Sequence, residues 1–446
     1  MGKKLWDKGR QTYEWVDEFT AGNDRHFDRL LARADILGNL AHARMLSTIG
    51  LLTSDEFKAI AAELIELYHN IDENFSIDEG IEDIHSQIEW MLTQKLGDIG
   101  KKIHSGRSRN DQVLVDLKIF FRNEIRQIVE QSTLLFDLLI QLSEKYKSVL
   151  MPGYTHMQIA MPSSFGLWFG AYAESLTDDM ILFQAAYRIT NQNPLGSAAG
   201  YGSSFPLNRT LTTRLLGFED LNYNVVYAQM GRGKTEKTIA FALASLGATM
   251  AKMAMDMCLF MNQNFSFISF PEELTTGSSI MPHKKNPDVI ELIRARSNRL
   301  QALPNEISLI TSNLPSGYHR DMQILKEILF PAFDETRSCL TALTRMLEHI
   351  QVNTRILDDP KYAYLFSVEE VNRLVLQGIP FRDAYRKVAE SIEKNDFQPS
   401  KNIQHTHEGS MGNLCNDKIK AKMEQVLLSF NFQQVDDALK NLLSGN

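Results

Sequence analysis

The chain has 446 residues, more than one hydrophobic core usually organises, so two or three domains are expected. With 43% apolar and 23% charged residues it reads as an ordinary globular protein, and a net charge of -8 argues against a sequence-blind nucleic-acid binder. Cys258, Cys339 and Cys415 are odd in number and form no CxxC pair, which argues against a disulfide framework and fits a reducing cytosol.

Residues 1–106 read as helical. The N-terminal stretch MGKKLWDKGRQTYEW carries lysines but no apolar core of a secretory leader. Thr53 with Glu56 forms a capping box ahead of the helix DEFKAIAAELIELYH. From Arg107 to Met151, 45 residues pass without Gly or Pro, and apolar side chains recur at three- and four-residue intervals. As one helix this segment would reach about 65 Å. Further helices are predicted at 164–192, 235–262, 287–303 and 332–358, each bounded by Pro, Gly or a polar loop. Residues 239–261 are apolar enough to raise a membrane span. Lys252 and Asp256 fall inside at i,i+4 spacing, where they can pair, and the buried-bundle reading is preferred. Ser367 with Glu370 predicts a capping box before VNRLVLQ, which Gly378 and Pro380 stop. No alternating β-branched run is long enough for a sheet core. The expected fold is all-α in three segments, 1–106, 107–356 and 357–446, the central one an elongated long-helix bundle.

Three stretches could carry chemistry. The loop PEELTTGSSIMPHKKNP (271–287) gathers Gly277, Ser278, Ser279, Lys284, Lys285 and Asn286, whose hydroxyls, ammonium groups and amide can surround an anion. A solvated turn ahead of a helix is the plainer reading for a generic sequence. KKIHSGRSRNDQ (101–112) places Arg107, Ser108, Arg109 and Asn110 at the start of the longest helix, where free N–H groups and the dipole favour a carboxylate; a basic cap without ligand is the alternative. MPGYTHMQIAMP (151–162) holds His156 in a turn between two prolines, and a lone histidine is more often structural.

These stretches carry a resemblance. The loop resembles the GSSxMPxKxNP signature of the fumarase/aspartase superfamily, with every fixed position present. HSGRSRNDQ resembles the stretch typical of its argininosuccinate lyases, and GYTHMQ resembles their GYTHxQ. Glu82-Asp83-Ile84-His85, Asn193-Pro194-Leu195-Gly196-Ser197 and Tyr318-His319-Arg320-Asp321-Met322-Gln323 with Lys326 resemble further family segments, so the likeness runs from about residue 5 to 390. Departures are Met161 within a usual AQP, Tyr385 for a usual His, and Gly22 where many members carry a substrate-contacting serine: either a backbone N–H or Thr20 substitutes, or that contact is absent.

The resemblance implies cleavage of argininosuccinate to arginine and fumarate, in a homotetramer with shared active sites, without metal or organic cofactor. Ser278 is then the base and His156, supported by Glu291, the acid, although the two roles could be exchanged. Lys284 and Asn286 stabilise the doubly charged aci-carboxylate formed when the proton leaves. Arg107, Ser108, Arg109, Asn110, Thr155, Asp83, His85, Tyr318, Arg320, Gln323 and Lys326 hold the substrate. Neither nucleic acid nor membrane is an expected partner, and a cytoplasmic location is expected. The alternatives are another superfamily lyase, acting on adenylosuccinate or aspartate, or a catalytically silent, crystallin-like relative.

Overall fold

A computed structural model describes residues 13–72, 75–401 and 403–445, without the side chains of Glu14 and Asp17. The N-terminal stretch read as lacking a leader core lies largely outside the described residues. In chain order the longer helices are α1 (Glu14–Ala21), α2 (Ala32–Thr48), α3 (Ser54–Asn70), α4 (Ile84–Leu96), α5 (Arg109–Lys145), α6 (Phe165–Thr190), α7 (Lys234–Met261), α8 (Asp288–Leu300), α9 (Leu303–Ile310), α10 (Leu325–Glu348), α11 (Ser367–Leu376), α12 (Phe381–Glu393), α13 (Asn416–Leu428) and α14 (Phe432–Leu443). The described strands form three two-stranded ribbons: β1 (Leu150–Thr155) antiparallel to β2 (Gln158–Ser164), β3 (Gln192–Asn193) parallel to β4 (Asp220–Leu221), and β5 (Ile268–Ser269) antiparallel to β6 (Gln351–Val352). The fold is all-α.

Helices α5, α6, α7, α8 and α10 pack side by side as the predicted bundle. The small residues early in α7 have a packing reason. A Cβ on Gly247 would stand 2.8 Å from the Ser297 carbonyl oxygen of α8, so only glycine lets the two helices approach this closely. Asp256 does not pair with Lys252 as expected. It accepts from Trp168 Nε1 at 3.0 Å and the Tyr172 hydroxyl at 2.6 Å, both on α6, which fixes α7 within a protein bundle. By length and composition α7 could cross a membrane, but half its apolar window is buried against other helices.

Several boundaries differ from the sequence reading. The longest helix ends at Lys145, so it spans 37 residues or about 55 Å, and the chain leaves through a β-hairpin rather than continuing to Pro152. The segment 287–303 breaks after Leu300, and Pro304 opens α9. Helix α10 starts upstream of Pro331, which it contains, and stops at Glu348, because the chain then turns to pair β6 with β5. The Thr53–Glu56 capping box forms. The one at Ser367 does not: Ser367 is already helical, and Glu370 pairs with Arg373. One apolar core runs from Leu31 to Leu442, while Val371, Ala384 and Val388 of α11 and α12 make a small separate one.

Candidate active site

A cavity of about 260 Å³ opens where α5 and α7 begin and the approach to α10 passes them. Its geometry starts from the cap of α5. Ser108 is the N-cap, and Asp111 completes a capping box by accepting from the Ser108 N–H at 2.9 Å. The second Asp111 oxygen accepts from the N–H groups of Gly196 and Ala198, at 3.1 and 3.0 Å, tying the NPLGS loop to the helix start. Burial pushes the Asp111 carboxyl up to about 6, against these hydrogen bonds and the Arg107 charge.

Arg109 and Asn110 line the cavity. Arg109 is braced by Asp83 at 3.0 Å and by the Ser86 hydroxyl at 2.9 Å, while Asp83 itself caps α4 through the Ser86 N–H at 2.7 Å. From the other side come Tyr318, Arg320, Gln323 and Lys326. Lys326 is nearly buried between Asp24 and Asp28, at 2.5 Å from each. Burial alone would lower its pKa, but Asp28 and Asp24 outweigh it and raise it. Asp24 is pushed up to about 6, by burial first and then by Asp28. Gln323 Nε2 donates to the Thr20 carbonyl at 3.0 Å. The two substitutes considered for the missing serine are both engaged inside α1: the Thr20 hydroxyl donates to Val16 O at 2.7 Å and the Gly22 N–H to Glu18 O at 3.0 Å.

Of the predicted site residues, Asp83, His85, Arg109, Asn110, Tyr318, Arg320, Gln323 and Lys326 therefore meet at one cavity. Arg107 does not line it; its guanidinium turns inward and donates to Asn39 Oδ1 at 2.6 Å. Ser108 serves as the cap and does not line it either. His85 lines it only with a buried ring.

The remaining predicted residues sit elsewhere. Thr155 and His156 lie at the tip of the hairpin β1–β2, exposed to solvent. Thr155 pairs with Gln158, so His156 and Met157 are the two turn residues, with φ of 53° and 61°. Positive φ at both positions is the type I′ geometry that matches strand twist, here without the usual Asn-Gly. Tyr154 packs on Phe265 at 5.5 Å between ring centres, which anchors the hairpin just beyond the C-terminal end of α7.

Ser278, Lys284 and Asn286 belong to a loop closed at its neck by an antiparallel bridge between Thr276 and Asn286. The Thr276 hydroxyl also donates to Asp288. Ser278 Oγ accepts from the N–H groups of Met281 at 3.2 Å and Ile280 at 3.4 Å, so two backbone donors face this oxygen. Lys284 is exposed. Glu291 pairs with Arg294 of its own helix at 3.7 Å rather than with His156. This loop leaves the C-terminal end of α7, about 42 Å of helix from its start at the cavity.

Sequence reasoning missed Asp24, Asp28 and Arg232 in the cavity wall. The signal for Arg232 was its i,i+4 spacing to Glu236, which it meets at 2.6 Å with both side chains buried. The two aspartates carried no local pattern; they matter only because Lys326, some 300 positions later, inserts between them.

The fold is shared with solved structures. EDDS lyase in complex with formate superposes with a TM-score of 0.75 at 20% identity, over 98% of this chain and 95% of that one. The class II fumarase from Schistosoma mansoni superposes with a TM-score of 0.69 at 14% identity, over 93% of this chain and 95% of that one. A long-helix bundle with a cavity lined by both acidic and basic side chains at one end and a GSSIMPHKKNP loop at the other defines a lyase of the fumarase/aspartase class. The sequence matches the lyase family over residues 11–301. It is 62% identical to the argininosuccinate lyase of Parabacteroides distasonis over 446 residues, the full length of both. It is 61% identical to that of Bacteroides thetaiotaomicron over 444 residues, 99% of this chain and 100% of the other. The chain belongs to the lyase family, in its argininosuccinate lyase branch.

Proposed function

We propose that this protein splits argininosuccinate into arginine and fumarate at sites each assembled from several chains of a homotetramer. The main support for sharing is the separation within one chain. The substrate-holding cavity lies at the start of α5 and α7, whereas His156 and Ser278 lie beyond the far ends of the same helices, some 40 to 55 Å away. A small substrate cannot bridge that gap, but an antiparallel neighbour brings its opposite end alongside. Phe241, Met255, Leu292 and Leu309 leave apolar side chains exposed on α7, α8 and α9, the surface such a neighbour would cover.

Arg109, Asn110, Tyr318, Arg320, Gln323 and Lys326 of one chain then hold the carboxylates and the arginine moiety, while Thr155 and His156 and the 271–287 loop arrive from others. Ser278, its charge borne by the Ile280 and Met281 N–H groups, takes the proton next to a carboxylate. Lys284 and Asn286 meet the charge that develops on that carboxylate, and His156 protonates the departing guanidino nitrogen. In this reading the segments 1–106, 107–356 and 357–446 act as domains, the middle one forming the tetramer core, and the enzyme works in the cytoplasm in arginine biosynthesis. Three free cysteines agree with that location.

The test is fumarate release, followed by its ultraviolet absorbance, from argininosuccinate, adenylosuccinate and aspartate in turn. Argininosuccinate alone should be cleaved. Release only from another substrate would reassign the specificity, and release from none would make the protein a silent relative.

A further inference from the structure

His85 enters the proposed function only as a residue lining the cavity, but its surroundings define more. The side chain is fully buried, at 0% exposure. Nδ1 lies 2.8 Å from Asp35 Oδ1 on α2 and 3.1 Å from Asp116 Oδ2 on α5, and each carboxylate is 1% exposed. An ionised carboxylate only accepts, so Nδ1 carries a proton. Nε2 meets no hydrogen-bond partner among the described residues, although His85 lines the cavity. Asp35 is held in turn, because its Oδ2 accepts from Asn39 Nδ2 at 2.7 Å and Asn39 is held by Arg107. Gly38 keeps the space open, since a Cβ there would press on Asp116 Oδ1 at 3.3 Å.

The other charged or titratable groups near the ring are Asp83 and His104, with Arg107 beside Asp35, and across the cavity Asp24, Asp28, Glu82, Arg109, Arg232, Arg320 and Lys326. Burial opposes a charge on the ring, but Asp35 and Asp116 outweigh it and hold its pKa well above the usual histidine range. Burial and then the adjacent Asp35 push the Asp116 carboxyl well up. Asp35 is drawn down by His85 against its own burial, which makes it the counter-ion.

We propose that Asp35 and Asp116 are positioning residues for substrate binding: they clamp Nδ1 of His85, hold the ring as an imidazolium, and so present Nε2–H to the cavity as a fixed cationic donor for a substrate carboxylate. A donor fixed by two buried carboxylates needs no reorganisation when the dicarboxylate arrives. The proposal rests on the cavity being the substrate site.

Fumarate, used as a competitive inhibitor between pH 6 and 9, tests it in the folded enzyme with three variants: Asp35→Asn, Asp116→Asn and His85→Gln. Asp35→Asn should bind fumarate about ten-fold more weakly at pH 8.5 and recover toward wild type at pH 6, because the ring then loses its second proton within the assay range. KM should rise with it while kcat changes less. His85→Gln should lose similar affinity at every pH, with no recovery. Asp116→Asn, which leaves the Asp35 hydrogen bond to Nδ1 in place, should stay nearer wild type. Unchanged fumarate affinity in Asp35→Asn, or a loss equal at all pH values, overturns the proposal while leaving the cavity as the substrate site. Unchanged affinity in His85→Gln would show instead that the ring does not touch substrate. Affinity that falls on dialysis against a chelator and returns with zinc would make the trio a metal site and overturn the imidazolium. If Asp35→Asn does not fold, nitrogen NMR of histidine-labelled wild type decides: both His85 nitrogens should be protonated at pH 8.5, and a neutral ring there overturns the proposal.

Discussion

Single residues show how a local group acquires a chemistry that its type does not have alone. In the proposed function Ser278 is the base; a serine hydroxyl is too weak an acid to serve as one near neutrality unaided, and the two N–H groups that face its Oγ would favour the alkoxide. Ser278→Ala should therefore lose roughly 10³-fold or more in kcat and still bind argininosuccinate in calorimetry. Near-normal turnover would remove Ser278 from the mechanism. Lys118 shows the cost side. It is buried on α5, donates to the Ile189 carbonyl and to Asn222 Oδ1 at 3.2 Å each, and forms no ion pair with a carboxylate among the described residues. Burial lowers its pKa from 10.5 to about 8. Below pH 8 both folded and unfolded chains hold the proton and the full desolvation cost stands. Between pH 8 and 10.5 the unfolded chain binds more protons, so stability rises with pH, by about 3 kcal/mol in all. Urea unfolding of the wild type and of Lys118→Met across this range should show that rise only in the wild type. Parallel curves would mean that Lys118 is paired.

At the scale of elements, terminations matter more than helix interiors. α5 stops at Lys145, and residues 146–190 build a hairpin and another long helix, with Ser164 capping α6 through the Leu167 N–H at 3.1 Å. The hairpin turn places His156 and Met157 in the left-handed region, which costs an L side chain about 1 kcal/mol at each position. Met157→Gly should relieve one of these and raise hairpin stability by up to about 1 kcal/mol, read as a higher thermal midpoint, whereas Met157→Val should lower it. A drop in the glycine variant would show that the Met157 side chain packs usefully, against its exposure. Helix α10 makes the complementary point. By running upstream through Pro331 it carries Lys326 into the wall of the cavity, where a helix starting at 332 would have left that lysine in a loop.

At the scale of the molecule, one chain carries the cavity and the GSSIMPHKKNP loop at opposite ends of a bundle, and the proposed function joins them across chains. Asn110→Ala and Ser278→Ala subunits should each be inactive alone. Unfolded and refolded together, they should regain activity in hybrids, where a site can take an intact cavity from one chain and an intact loop from another. Random mixing leaves about a quarter of such sites fully wild type. Sedimentation as a monomer, or no recovery despite proven subunit exchange, would rule out a site shared in this way.

The long apolar periods, the capping box at Thr53 and the GSSIMPHKKNP, HSGRSRNDQ and GYTHMQ stretches lie within short windows of sequence. Helical class, bundle and family were legible there because 3.6-residue periodicity and local motifs are short-range properties. Asp256 turning to Trp168 and Tyr172 instead of Lys252, and Arg107 turning to Asn39, were settled by partners far along the chain, which no window contains. The cavity is the clearest case. Asp24 and Asp28 enter the cavity wall only because packing brings Lys326 between them, where burial raises the cost of leaving any of the three charges unpaired.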